Sequence, residues 1–322
     1  MITIGLAPLD ALAGTRLARG AWTADNYHAL AAFLHRSENI YGPKVAVFDF
    51  DNTCILNDIG DAVFYYMTDE ALFDFETILA DPSLWAYFAK GEENPVLQAI
   101  EAFVKEKKSF YPRYRKTLYK AYDDLCDMAG NETCYGWVVR LQAGKTPYEM
   151  RQIAARALKR ELKKPVGRDM VLAGEDDRLP LAFNTGIRPY QEISNLMRVL
   201  KGAGFDIWIV SASGQYIVEA ASRKLFGVPA QRVIGVRSRL QGGRLSADIE
   251  LMTYRAGKVR AIDQVIGFRP LFAAGDSDTD WEMLDYAQDL RLVIDRGKAV
   301  SRHAVEEKAT GKAWLIQPKF LQ

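Results

Sequence analysis

The sequence predicts an α/β protein: a doubly wound, mostly parallel sheet with a second, mainly helical domain inserted into it. Three observations carry this reading. Short apolar runs at residues 45–48, 207–210, 271–274 and 290–295 have the length and composition of strands buried on both faces of a sheet. The first three stop abruptly in polar clusters: Asp49 to Thr53, Ser211 to Gly214, and Gly275 with Asp276. Helical periodicity separates the runs, and strands alternating with helices describe an open sheet whose site lies beyond the carboxyl ends of its strands.

In chain order, residues 23–39 form an amphipathic helix with a start signal at Thr23 and Asp25, ended by Gly42 and Pro43. The first strand follows. From Cys54 to about Phe183 the pattern changes to long, aromatic-rich helical stretches, about 130 residues and too many for a loop. The expected division is therefore 1–53 plus 184–322 for the sheet domain and 54–183 for the insert. Helix 215–226 follows the second strand, and the strands at 271–274 and 290–295 complete the pattern. No repeat or low-complexity tract interrupts it.

Composition narrows the function. A chain of 322 residues, 49% hydrophobic and 26% charged, can bury a substantial core. Its 42 Lys+Arg against 41 Asp+Glu give a net charge of +1, which removes the electrostatic case for a nucleic-acid or anionic-membrane partner. No apolar run is long enough for a membrane span. Three cysteines are too few for a disulfide scaffold, and none is spaced as a zinc site requires. His28, His35 and His303 are not placed like a catalytic relay. Residues 1–22 lack the order of a secretory leader, so a cytoplasmic location is the default, with export or a periplasmic location if a leader has been removed. Oligomeric state stays open.

Asp49 and Asp51 stand two apart at the mouth of a strand. Like charges so close are unfavourable unless a cation sits between them or one is protonated, which suggests a divalent metal with oxygen ligands. A plain turn cap is the alternative. With no histidine relay or reactive cysteine, an Asp nucleophile forming an acyl-phosphate is the natural covalent route, its neighbour serving as acid and base. Asp276 and Asp280 can complete the cation site. Ser211 offers a hydroxyl before a helix start, and Lys258 a fixed positive charge beside a phosphoryl group. Singly, Ser211 reads as a helix cap and Lys258 as a surface lysine.

Together these residues resemble the four motifs of the haloacid dehalogenase superfamily: DFDNT at 49–53, Ser211, Lys258 and GDSDTD at 275–280. The resemblance implies a Rossmann-like core with a specificity cap, Asp49 as nucleophile, Asp51 as general acid/base, and Ser211 and Lys258 as phosphate ligands. It also implies Mg2+ held by Asp49, the Asp51 carbonyl and Asp276, with Asp280 in support. Asp51 favours phosphate ester hydrolysis over the dehalogenase and ATPase branches, which lack that acid. The stretches at 186–214 and 228–248 are similar to phosphoserine phosphatases. The insert around Cys126, Cys134 and Trp137, and the WLIQP near the end, are more similar to bacterial phosphorylcholine phosphatases.

The expected activity is thus a Mg-dependent phosphomonoesterase acting on a small phosphorylated metabolite, with phosphoserine, phosphorylcholine or phosphoethanolamine as models. The alternatives are a phosphotransferase or mutase, and an inactive ligand-binding member. Thr53, Ala212 and Asp61 are the expected substrate-binding residues. Asp61 stands where phosphorylcholine phosphatases carry an acid for the cationic end; Asp58 is its alternative, and both also suit the first turn of a helix.

Of ten insert aromatics (Tyr65, Tyr66, Trp85, Tyr87, Tyr111, Tyr114, Tyr119, Tyr122, Tyr135 and Trp137), one or two are expected to face a ligand by cation–π attraction. Cys126 and Cys134 would pair if the protein is exported and stay reduced in the cytoplasm. Cys54 reads as a small core residue. The basic run Lys105, Lys107, Lys108, Arg113, Arg115 and Lys116 reads as a solvated helix face or a guide for an anionic substrate.

Overall fold

A computed structural model describes residues 16–107 and 109–320. Most of the segment weighed as a leader, and Lys108 of the basic run, lie outside the described residues.

The four predicted strands lie in one seven-stranded sheet. Its members are β1 (Val45–Phe48), β6 (Asp206–Gly214), β7 (Val233–Gln241), β8 (Arg244–Leu251), β9 (Phe272–Gly275), β10 (Leu290–Asp295) and β11 (Trp314–Pro318). The spatial order is β11-β10-β9-β1-β6-β7-β8, parallel throughout except for the β7–β8 pair. β1 is central: the chain leaves it for β6 on one side and later returns to β9 on the other. That reversal makes the carboxyl end of β1 the topological switch point, where open α/β sheets bind ligands.

Alternation along the strands feeds two apolar layers. Ala46 and Phe48 of β1 face one, with helices Ala24–Ser37, Gln191–Gly202 and Gln215–Phe226; Val45 and Val47 face the other, with Trp281–Tyr286 and Ala299–Ala309. Strands buried on both faces read as continuous apolar runs because neither side meets water.

Between β1 and β6 run helices Ile59–Asp69, Phe75–Leu79, Pro95–Glu106, Tyr111–Ala129, Asn131–Arg140 and Pro147–Glu161. Asp58, Asn94 and Thr146 each accept a hydrogen bond from the first turn of their helix, and Thr146 with Glu149 forms a capping box. This segment also holds strands: β2 (Ile55–Leu56) pairs antiparallel with β5 (Arg188–Pro189), and β3 (Gly167–Val171) with β4 (Leu181–Thr185). The β2–β5 pair ties the outgoing and returning chain together. The hydrophobic layer of the helical segment is continuous with the one on that face of the sheet. No described helix is long and apolar enough to cross a membrane.

Candidate active site

Four stretches distant in sequence meet at the switch point. Asp49 continues β1, its N–H donating to Ala274 O of β9 at 2.9 Å. Its Oδ1 accepts from Lys258 Nζ at 2.6 Å, and the same ammonium donates to Asp280 Oδ1 at 2.6 Å. Lys258 is fully buried on helix Ala256–Ala261, not on the surface. Asp280 Oδ2 accepts the backbone N–H groups of Asp276 at 3.0 Å and Ser277 at 3.1 Å, folding the GDSDTD turn around itself. Gly275 permits this, since a Cβ there would lie 2.6 Å from Asp280 Cβ. With both oxygens so engaged, Asp280 is an anchor for the lysine and the turn.

Asp276 Oδ1 accepts from Thr53 Oγ1 at 3.1 Å and its Oδ2 from Arg296 at 2.6 Å. Asp51 is held from two sides. Its Oδ1 accepts the Ile59 N–H at 2.7 Å, at the start of the first insert helix; its Oδ2 accepts from Ser213 Oγ at 2.8 Å and Ser211 Oγ at 3.4 Å. Asn52 and Asn57, at φ 60° and 67°, make the left-handed turns that carry the chain into the insert.

Burial raises the carboxylates. Asp49 is pushed up to about 6, by desolvation first and then by Asp280, against the opposing pull of Lys258. Asp51 is raised by desolvation and by Asp58 and Asp49; Asp276 by desolvation and by Asp280 and Asp49, with Arg296 opposing. Burial alone would lower Lys258, but Asp280 and Asp49 outweigh it and hold it above its ordinary value.

Carboxylate oxygens of Asp49, Asp276 and Asp280 lie within 4.8 Å of one another, all buried. The crowding and the all-oxygen donor set suit a hard divalent cation, which would relieve the like-charge repulsion. Asp49 and Asp276 also line the cavity through which such an ion would arrive, whereas Asp280 does not.

A cavity of about 440 Å³ opens from Asp49, Asp51 and Asp276 toward the helical segment. Ala212 lines it, whereas Ser211, Lys258, Asp280 and Thr53 stand behind its wall. Asp58 and Asp61 also line it, on either side of the Ile59 N–H that Asp51 accepts, both raised by burial; Asp61 Oδ1 accepts from Tyr122 OH at 2.9 Å, while Asp58 also caps the helix through the Asp61 N–H at 3.0 Å. Of the ten aromatics, only Tyr122 and Tyr135 reach the cavity. In the basic run Arg115 pairs with Asp69 and Lys116 with Asp177, and none of its described members lines the cavity. Cys126 and Cys134 are disulfide-bonded, and Cys54 is buried with its thiol donating to Asp49 O at 3.0 Å.

Sequence reasoning missed Ser213, Arg296, Gln142 and Tyr254, which also line the cavity. Ser213 was readable from its place in the same polar cluster as Ser211. Arg296 follows the carboxyl end of β10, another strand end at the same edge of the sheet.

Residues 129–285 match the model of the haloacid dehalogenase-like hydrolase family, a span containing Ser211, Lys258, Asp276 and Asp280. A protein of unknown function from Anaerococcus prevotii superposes with a TM-score of 0.78 at 23% identity, over 93% of this chain and 94% of its own. Another from Bordetella pertussis reaches 0.54 at 15% identity, over 85% and 99%. These share the fold. No curated protein sequence matches.

Proposed function

We propose that the protein is a phosphomonoesterase of small amino-alcohol or amino-acid phosphates, working through an aspartyl-phosphate, with residues 54–183 as the cap that sets specificity. The reading is supported chiefly by one observation: Asp49 faces the cavity at the switch point with Lys258 Nζ 2.6 Å from its Oδ1. The resemblance of the 186–248 region to phosphoserine phosphatases supports the substrate class.

In this reading an Asp49 oxygen attacks phosphorus, and the ester oxygen leaves with a proton from Asp51. A water then gives a proton to Asp51 and attacks the same phosphorus. The Asp49–phosphorus bond breaks, and inorganic phosphate leaves. From behind the cavity wall the Lys258 ammonium steadies the Asp49 carboxylate and the Ser211 hydroxyl supports the Asp51 carboxyl. Magnesium held by Asp49, Asp276 and the Asp51 carbonyl would offset charge on the phosphoryl group. Asp61, with Asp58 beside it and Tyr122 and Tyr135 nearby, would receive the cationic end.

Phosphate release from p-nitrophenyl phosphate, phosphoserine, phosphorylcholine and phosphoethanolamine, with Mg2+ present, tests this. Asp49→Asn should lower release at least about 10³-fold, as expected for loss of a covalent nucleophile, while the variant keeps a native far-UV circular dichroism spectrum. Retained activity overturns the nucleophile assignment. Preferential transfer to an added alcohol would make the protein a phosphotransferase, and saturable binding without turnover a binding protein.

A further inference from the structure

Gln142 sits in the turn after helix Asn131–Arg140, and its main chain is fully engaged. Its N–H donates to Val139 O at 3.0 Å and its carbonyl accepts from Lys145 at 3.1 Å. The turn is stitched to β8 by Gly144 N–H to Leu245 O at 2.9 Å and Leu245 N–H to Lys145 O at 2.8 Å. The side chain differs: it is 2% exposed and lines the cavity, yet Nε2 has no hydrogen-bond partner among the described residues.

A buried amide nitrogen without a partner is uncommon and calls for an explanation. Gly214 makes room for it, since a Cβ there would lie 3.0 Å from Nε2. From Gly214 the wall runs through Ser213 to Gly60, where a Cβ would lie 2.7 Å from Ser213 Oγ, and on to Asp61. A ligand whose ammonium rests at Asp61 presents its neighbouring atoms along this wall.

We propose that Gln142 is a specificity-determining residue whose side-chain amide donates to an oxygen carried beside the ammonium group of the substrate. The preferred ester is then a phosphoamino acid, with a carboxylate in that place, over the corresponding phosphoamino alcohol. This deepens the phosphomonoesterase reading of the same cavity and rests on it. The physical ground is asymmetric: a site with a buried donor discriminates against the analogue that leaves the donor unpaired. The rigid turn holds the amide in place before the ligand arrives.

The test is binding of phosphoserine and phosphoethanolamine, by calorimetry with Mg2+, to Asp49→Asn protein with Gln142 intact or replaced. With Gln142 intact, phosphoserine should bind at least about tenfold more tightly. Gln142→Leu should weaken phosphoserine about tenfold and leave phosphoethanolamine within about twofold. Gln142→Glu, nearly the same shape but an acceptor, should weaken phosphoserine further and spare phosphoethanolamine; it decides the matter if the leucine variant does not fold. Equal effects on both ligands, no effect on either, or a native preference for phosphoethanolamine overturns the proposal. Because binding is read on unreactive protein, a wild type that hydrolyses no ester defeats the phosphatase reading separately.

Discussion

Lys258 decides the electrostatics of the site at the scale of single residues. Fully buried, it places one ammonium between Asp49 and Asp280, and its own charge is held by them. Removing one partner of a buried charge cluster leaves the others uncompensated, typically about 3–5 kcal/mol. Lys258→Met should therefore lower unfolding free energy in urea by about 3–5 kcal/mol near pH 7, besides impairing turnover. A loss below about 1 kcal/mol, the size of an exposed pair, would mean that the ammonium is not shut away from water.

The same residue shows what a sequence reveals. Asp49, Asp51, Ser211, Lys258, Asp276 and Asp280 were legible because each stands at or near a strand end or in a motif spacing. The Ser213 bond to Asp51 and the unpartnered amide of Gln142 were not, since both depend on which side chains the fold brings face to face.

At the scale of elements, two helices contribute aromatic side chains to the cavity wall. Tyr111–Ala129 brings Tyr122 and Asn131–Arg140 brings Tyr135, with only Gly130 between the helices. The Cys126–Cys134 disulfide fastens this corner, one turn from Tyr122 and beside Tyr135. Closing so short a loop restrains the unfolded chain by roughly 2–3 kcal/mol. Replacing both cysteines by serine should cost about that much in urea unfolding and raise KM more than it lowers kcat, because the wall loosens while Asp49 and Lys258 stay in place. Unchanged stability, or a fall in kcat alone, would contradict this coupling.

The helices at 23–39 and 215–226 were legible from periodicity and the strands β1, β6, β9 and β10 from their apolar runs, whereas β11 and the helices Gln191–Gly202, Trp281–Tyr286 and Ala299–Ala309 were not read. The β7–β8 hairpin was not read as strands, because its outer half is exposed and carries little apolar alternation; its Gly242-Gly243 turn, at φ 58° and 78°, was the available signal. The β2–β5 pair and most of the β3 strand were hidden likewise, being short or solvent-facing.

For the whole molecule, folding gathers Asp49, Asp51 and Asp276 into one place, with Lys258 bonded to Asp49 and Arg296 to Asp276. No periodicity encodes that arrangement; it arises from sheet order, which brings the ends of β1, β6 and β9 side by side. It has a consequence for stability. In metal-free protein Asp49 holds its proton up to about 6, whereas the unfolded chain releases it near 3.8, so the folded state binds more protons between those values. A raised folded pKa means stability that is present below the unfolded value and lost as pH climbs through the folded one. For Asp49 alone this is on the order of 3 kcal/mol, and Asp51 and Asp276 act in the same direction. The opposite pull of Asp177, lowered to about 2, falls below this window. With EDTA present, the melting temperature should decline from pH 4 to pH 7. Magnesium should restore more of it at pH 7 than at pH 5, because the ion replaces protons that are still bound at the lower pH. A flat or rising profile in EDTA, or an equal magnesium effect at both values, would show that the aspartates are not the strained, cation-seeking group their burial describes.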